Sequence, residues 1–197
     1  MATRTLLARL AALALGLSAA APALAAGGTI EGKVEATPPK YRADTVVYLK
    51  QVPGPFPKRT ESMDQKGMAF VPHVLAITQG DTVKFLNHDS VAHNVYSPDN
   101  EGYNLGAFTK GESRTHTFAK QGVYTQLCSI HPEMLGYIFV GQNPYASPVD
   151  AKGAYVIRDV PPGTYQLEVW NAKLKAPPKS VTVAAGRKVT ANFALKR

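Results

Sequence analysis

Beyond residue 27 the chain alternates apolar and polar side chains with a period of two. Thr29-Ile30-Glu31-Gly32-Lys33-Val34-Glu35 reads this way, as does Thr45-Val46-Val47-Tyr48-Leu49. Segments of the same kind cover residues 74–77, 82–86, 114–118, 123–128, 137–140, 154–157, 165–170, 180–183 and 189–195. Such a period puts alternate side chains on opposite faces of a strand. Short strands separated by Gly and Pro turns predict antiparallel sandwiches or barrels. No stretch keeps a helical period between caps, so an all-β fold is expected.

Two proline-rich segments punctuate this pattern, Pro53-Gly54-Pro55-Phe56-Pro57 and Asn143-Pro144-Tyr145-Ala146-Ser147-Pro148. Pro cannot donate to a strand ladder, so both mark boundaries. The block between them, residues 60–142, holds all five His, the single Cys and every Met except the initiator. The blocks on either side, residues 27–59 and 143–197, offer two and four strands, too few in each for an independent core. Pairing them with each other gives one sandwich, split in sequence, into which the middle block is inserted. That solution requires both ends of the insert to lie close together.

Residues 1–26 differ from the rest. Arg4 and Arg9 open the chain, residues 10–20 are small or apolar except Ser18, and Ala23-Leu24-Ala25 offers the small-x-small pattern of a signal-peptidase site. This predicts a cleavable secretory signal and a periplasmic mature protein; the apolar run is short for a membrane span. Loss of Arg4 and Arg9 lowers the formal charge from +8 to +6. Only 18% of residues are charged and 45% are hydrophobic, which excludes wholesale disorder. One Cys excludes an intramolecular disulfide and a Cys-rich zinc framework. An exposed lone thiol is a liability in an oxidising compartment, so Cys128 is expected to be either a buried apolar residue or a ligand.

Candidate chemistry concentrates in Cys128-Ser129-Ile130-His131-Pro132-Glu133-Met134, with His93 upstream in Ser90-Val91-Ala92-His93-Asn94-Val95. Two imidazoles, one thiolate and a weak thioether form the donor set of an electron-transfer copper site. Cys128 ends a predicted strand, His131 and Met134 occupy the turn beyond it, and His93 comes from a neighbouring strand. Taken singly, a buried Cys or Met is more often core filler. Zinc is the rival metal, but it rarely takes Met, and thiolate with thioether favours copper. His73, His88 and His116 read as structural or solvated, and Met63 and Met68 as packing residues.

At these residues the chain resembles the cupredoxins, the type 1 (blue) copper proteins. The resemblance rests on Gly80-Asp81-Thr82-Val83 before Phe85, Asn87, His93-Asn94-Val95, Gly122-Val123-Tyr124, Cys128, His131 and Met134. The short Cys-x-x-His-Pro-x-Met loop is similar to that of the amicyanins. The resemblance implies a Greek-key sandwich with His93, Cys128 and His131 as equatorial ligands, Met134 axial, and one copper ion cycling between Cu(I) and Cu(II). It also implies that Asn94 braces the ligand loops and that His131 is the electron portal. Gln126 stands where relatives often carry an aromatic residue, which predicts a more polar site. The flanks resemble the carboxypeptidase regulatory-like sandwich, through Gly153-Ala154-Tyr155, Val160-Pro161-Pro162-Gly163-Thr164-Tyr165 and residues 28–34.

The expected function is that of a one-electron carrier between redox proteins such as a cytochrome and a dehydrogenase. The alternative is a copper-binding or interaction module whose copper is structural or stored. No enzymatic role is expected: the chain lacks a His-x-x-Glu zinc pair, and five His are too few for a multicopper cluster. Positive charge would steer the protein towards acidic partners or anionic membrane surfaces. Nucleic acid is not an expected partner, since the basic residues are scattered and form no recognised binding motif.

Overall fold

The computed structural model describes residues 26–197; the expected signal segment lies outside the described residues but for Ala26. Two strands precede the middle block, β1 (Gly28–Ala36) and β2 (Thr45–Leu49). The block itself holds β3 (Thr60–Gln65), β4 (Phe70–Val71), β5 (Val74–Thr78), β6 (Thr82–Asn87) and β7 (His93–Ser97). It continues with β8 (Tyr103–Phe108), β9 (Ser113–Thr117), β10 (Gly122–Leu127) and β11 (Leu135–Gly141). Behind it follow β12 (Ala146–Pro148), β13 (Ala154–Val160), β14 (Gly163–Asn171), β15 (Lys179–Val183), β16 (Lys188–Thr190) and β17 (Phe193–Leu195). The fold is all-β, with a single 3-10 turn at Pro39–Tyr41 among the described residues.

In the middle block the sheets β5-β11-β10-β7-β8 and β4-β3-β6-β9 close on one apolar core. Inward positions of both sheets supply it, among them Met63, Phe85, Val95, Tyr124 and Ile138. The flanks form sheets β13-β1-β16, with β17 also on β1, and β12-β2-β14-β15. Their core contains Ile30, Val34, Leu49, Tyr155, Leu167 and Phe193. Thus β1 and β2 take their hydrogen-bonded neighbours from strands that follow the middle block. A third cluster, Val46, Val74 and Phe139 with Tyr48, Tyr137 and Trp170 packed against it, joins the two sets of sheets.

The pairing is not antiparallel throughout. β3 runs parallel to β6, β5 to β11, and β1 to both β16 and β17. The single strand expected over 189–195 is two strands separated by Ala191 and Asn192. There the Asn192 side chain replaces backbone as acceptor for Lys33 N at 2.8 Å. Ala191 O takes the Tyr155 hydroxyl at 2.6 Å instead of continuing the ladder. β3, of sequence TESMDQ, lacks a strong apolar signal; Met63 and Gln65 face inward, and pairing with β4 and β6 fixes it as a strand.

Candidate metal centre

Three strand ends meet at one end of the five-stranded sheet. β10 is antiparallel to both β7 and β11: its last residue, Leu127, faces Leu135, which opens β11, and Tyr96 of β7, so the chain leaving β10 runs back along β7 towards His93. His93 opens β7, Cys128 immediately follows β10, and Met134 immediately precedes β11. The segment 128–134 therefore closes as a tight loop, with Met134 N donating to His131 O at 3.0 Å.

The loop brings the predicted donors together. His93 Nδ1 and His131 Nδ1 lie 2.9 Å apart, and Cys128 Sγ is 3.8 Å from His131 Nδ1. One ligand atom from each of His93, Cys128 and His131 falls within 4.8 Å of the other two. His93 is 0% exposed and Cys128 3%, while His131 is half-buried. Met134, 1% exposed, belongs to the same apolar cluster as Cys128. A buried thiol facing two imidazole nitrogens, with a buried thioether at the end of the loop, suits a soft transition metal and fits copper.

Asn94 braces the site from β7. Its backbone N–H donates to Cys128 Sγ at 3.4 Å, and its side-chain oxygen accepts from Ser129 N at 3.3 Å and Ser129 Oγ at 3.0 Å. Asn94 Nδ2 in turn donates to Asn104 Oδ1 at 2.8 Å. Asn87 shapes the neighbouring turn, donating to the carbonyls of Val91 and Phe108 at 2.9 Å each and accepting from Asp89 N.

Asp89 is the functional residue that sequence reasoning missed. Its Oδ2 lies 2.9 Å from His93 Nε2 and also accepts from Met68 N at 3.0 Å, while Oδ1 accepts from Gly67 N at 2.7 Å. The Met68 N–H, followed by the Gly67 N–H and His93, outweighs partial burial and holds this carboxyl below the usual carboxylate range. The carboxylate keeps a proton on Nε2 and leaves the Nδ1 lone pair facing the site, an arrangement that orients metal-binding imidazoles and raises their basicity. The one sequence signal is an acid four residues before His93. Asp89→Asn will weaken copper binding by about 10–100-fold, read by competition with a chromophoric chelator. Unchanged affinity would remove Asp89 from the site.

The remaining candidates stay apart from this cluster. His88 pairs with Asp64 and His73 with Asp44, both on exposed imidazoles. His116 stacks on Tyr103 at 4.0 Å between ring centroids, and burial lowers its pKa against the opposing pull of Glu101. Met63 is core, whereas Met68 is exposed and not a packing residue. Gln126 is fully buried; its Oε1 accepts the Tyr103 hydroxyl and its Nε2 donates to Tyr124 O at 3.0 Å. Its polar groups are thus bonded within the core. Burial raises the Tyr103 hydroxyl far above the usual phenol range.

Two stretches of the chain match known families. Residues 58–141 match the family of copper-binding proteins described as plastocyanin/azurin. Residues 141–191 match polysaccharide lyase family 4, domain II, a description that does not extend to the carboxypeptidase regulatory-like sandwich expected for the flanks. Among solved structures, a reduced amicyanin variant is 26% identical over 40% of this chain and 79% of its own, with a TM-score of 0.38. A purple cupredoxin from Nitrosopumilus maritimus is 30% identical over 41% of this chain and 99% of its own, with a TM-score of 0.38. A copper-containing nitrite reductase from Thermus scotoductus SA-01 is 31% identical over 47% of this chain but 24% of its own, with a TM-score of 0.40. Through residues 58–141 the chain belongs to the plastocyanin/azurin family of copper-binding proteins, the cupredoxins, and its cofactor is copper.

Proposed function

We propose that the protein is an exported, periplasmic one-electron carrier whose copper would be held by His93, Cys128 and His131, with the Met134 thioether as a weaker donor. The observation that carries this reading is the convergence of one thiol and two imidazole nitrogens within 4.8 Å of one another. Copper bound there supplies a Cu(I)/Cu(II) couple.

The surrounding residues do the rest. Asp89 fixes the His93 ring and its tautomer. The Asn94 N–H withdraws electron density from the thiolate, and the Asn94 side chain ties β7 to the ligand loop through Ser129. His93, Cys128 and Met134 are anchored at three strand ends and His131 in the tight loop between them, so these side chains would reorganise little when an electron moves. His131 lies between the exposed residues Ile130 and Pro132 and offers the imidazole edge through which the electron leaves. Contacts with a cytochrome or dehydrogenase would be small and transient, as redox encounters are. Among the described residues no helix is long and apolar enough to cross a membrane.

Voltammetry of the copper-loaded mature protein tests the proposal. A reversible one-electron wave with rapid self-exchange is expected. A blue protein with slow, irreversible exchange would instead indicate stored or structural copper.

A further inference from the structure

Charge is segregated between the two sets of sheets. Residues 60–142 carry five Lys and Arg against eight Asp and Glu, a net of −3. Residues 27–59 and 143–197 together carry fifteen against six, a net of +9. The overall positive charge is therefore a property of the flanking sheets alone, and the copper-binding block opposes it.

Within the flanks one cluster of cations is drawn together by the fold. Lys175 and Lys196 are bridged backbone to backbone, with N–O distances of 2.8 and 3.0 Å. Lys173 and Arg197 continue the two bridged segments. Lys179 lies over the Phe193 ring at 5.5 Å, and Phe193 pairs with Val34, the residue after Lys33. All six cations are exposed, and none is in an ion pair among the described residues. Lys33 and Lys179 flank an open groove whose lining includes one carboxylate, Glu35.

We infer that this face of the flanking sheets docks the protein onto an anionic phospholipid surface. Each Lys or Arg held near an anionic bilayer is attracted by its negative surface potential, and six exposed cations on one face act together. Five of the six cations are lysines, flexible point charges without the planar fork that reads a single fixed anion; they suit a fluid array of headgroups. Val156 is the one large exposed hydrophobic residue of the described flanks, so the attachment is electrostatic rather than inserted. The acidic copper-binding block is repelled by the same surface. Docking would thus confine the protein to a membrane while leaving His131 free for soluble or membrane-bound partners. The inference does not depend on the copper assignment.

Co-sedimentation of the mature protein with vesicles tests it. Binding is expected to vesicles of phosphatidylcholine mixed with phosphatidylglycerol, not to phosphatidylcholine alone, and should be lost as salt shortens the screening length. Replacing Lys173, Lys175 and Lys196 together by Gln should weaken it roughly tenfold or more. The same charge removed from the copper-binding block, as Lys84→Gln, Lys110→Gln and Lys120→Gln, should not weaken it. Absence of binding to the anionic vesicles, or equal loss in both triple variants, would overturn the inference. So would equally tight binding to a soluble anionic polysaccharide, which would make the face a glycan-binding surface. Thermal unfolding of each variant checks that the fold is retained.

Discussion

Protein carrying Cys128→Ala will take up Cu(II) without developing the intense visible band expected of the unaltered protein. The band requires charge transfer from a thiolate to Cu(II), and the chain contains no second Cys to substitute. His93 and His131 remain in place in the variant, since Asp89 and the ligand-loop turn hold them independently of the sulfur. Copper therefore still binds, but with a loss larger than the ~10–100-fold that follows removal of an outer hydrogen bond. The fold should survive. Ala removes a single buried sulfur, and the Asn94 N–H loses its acceptor at a cost of about 1–3 kcal/mol. Absorption spectroscopy during copper titration, with circular dichroism as a control, reads both expectations. A band that persists in the variant would mean that the thiolate is not a ligand, and the proposed carrier function would fall with it.

The reach of the sequence is unequal, and the inequality has a physical cause. The Cys-x-x-His-x-x-Met spacing is local: three donors within seven residues can share a tight turn whatever the rest of the chain does. His93 is legible through its resemblance to a known family, because the β7–β10 neighbourhood that brings it to Cys128 is a tertiary fact. Asp89 is illegible for the same reason. Its role depends on a turn shaped by Asn87 and on the 66–69 hairpin, whose N–H groups it holds across more than twenty residues of chain. The all-β class follows from the period-two pattern, yet that pattern is silent on direction. The parallel pairs β3–β6 and β5–β11 come from connections, not from residue preference. β3 shows the limit from the other side: its apolar content is too low to announce a strand, and its neighbours supply the ladder.

Gly32→Ala will cause the largest loss of stability of any single methyl addition in β1. A Cβ built at Gly32 would stand 2.0 Å from Ala191 O, 2.8 Å from Ala191 C and 3.0 Å from Tyr155 Cε1. Real Cβ atoms do not approach backbone this closely, and the carbonyl cannot rotate away. It accepts the Tyr155 hydroxyl at 2.6 Å, while Ala191 N donates to Glu31 O at 2.9 Å. Relief would have to separate β1 from the Ala191–Asn192 junction, taking with it the Lys33–Asn192 bond and the parallel pairing on both sides. Overpacking of a rigid contact costs about 1–3 kcal/mol, and the broken hydrogen bonds place this variant at or above the top of that range. For a chain of this size the melting temperature should fall by about 6–12 °C. β1 joins β13 to β16 and β17, so the loss falls on the flanking sheets rather than on the copper ligands. The visible band at room temperature should therefore be unchanged in the folded variant. An unshifted melt would show that β1 and the Ala191 carbonyl are not in this contact; a lost band at full stability would show that β1 acts on the copper site itself.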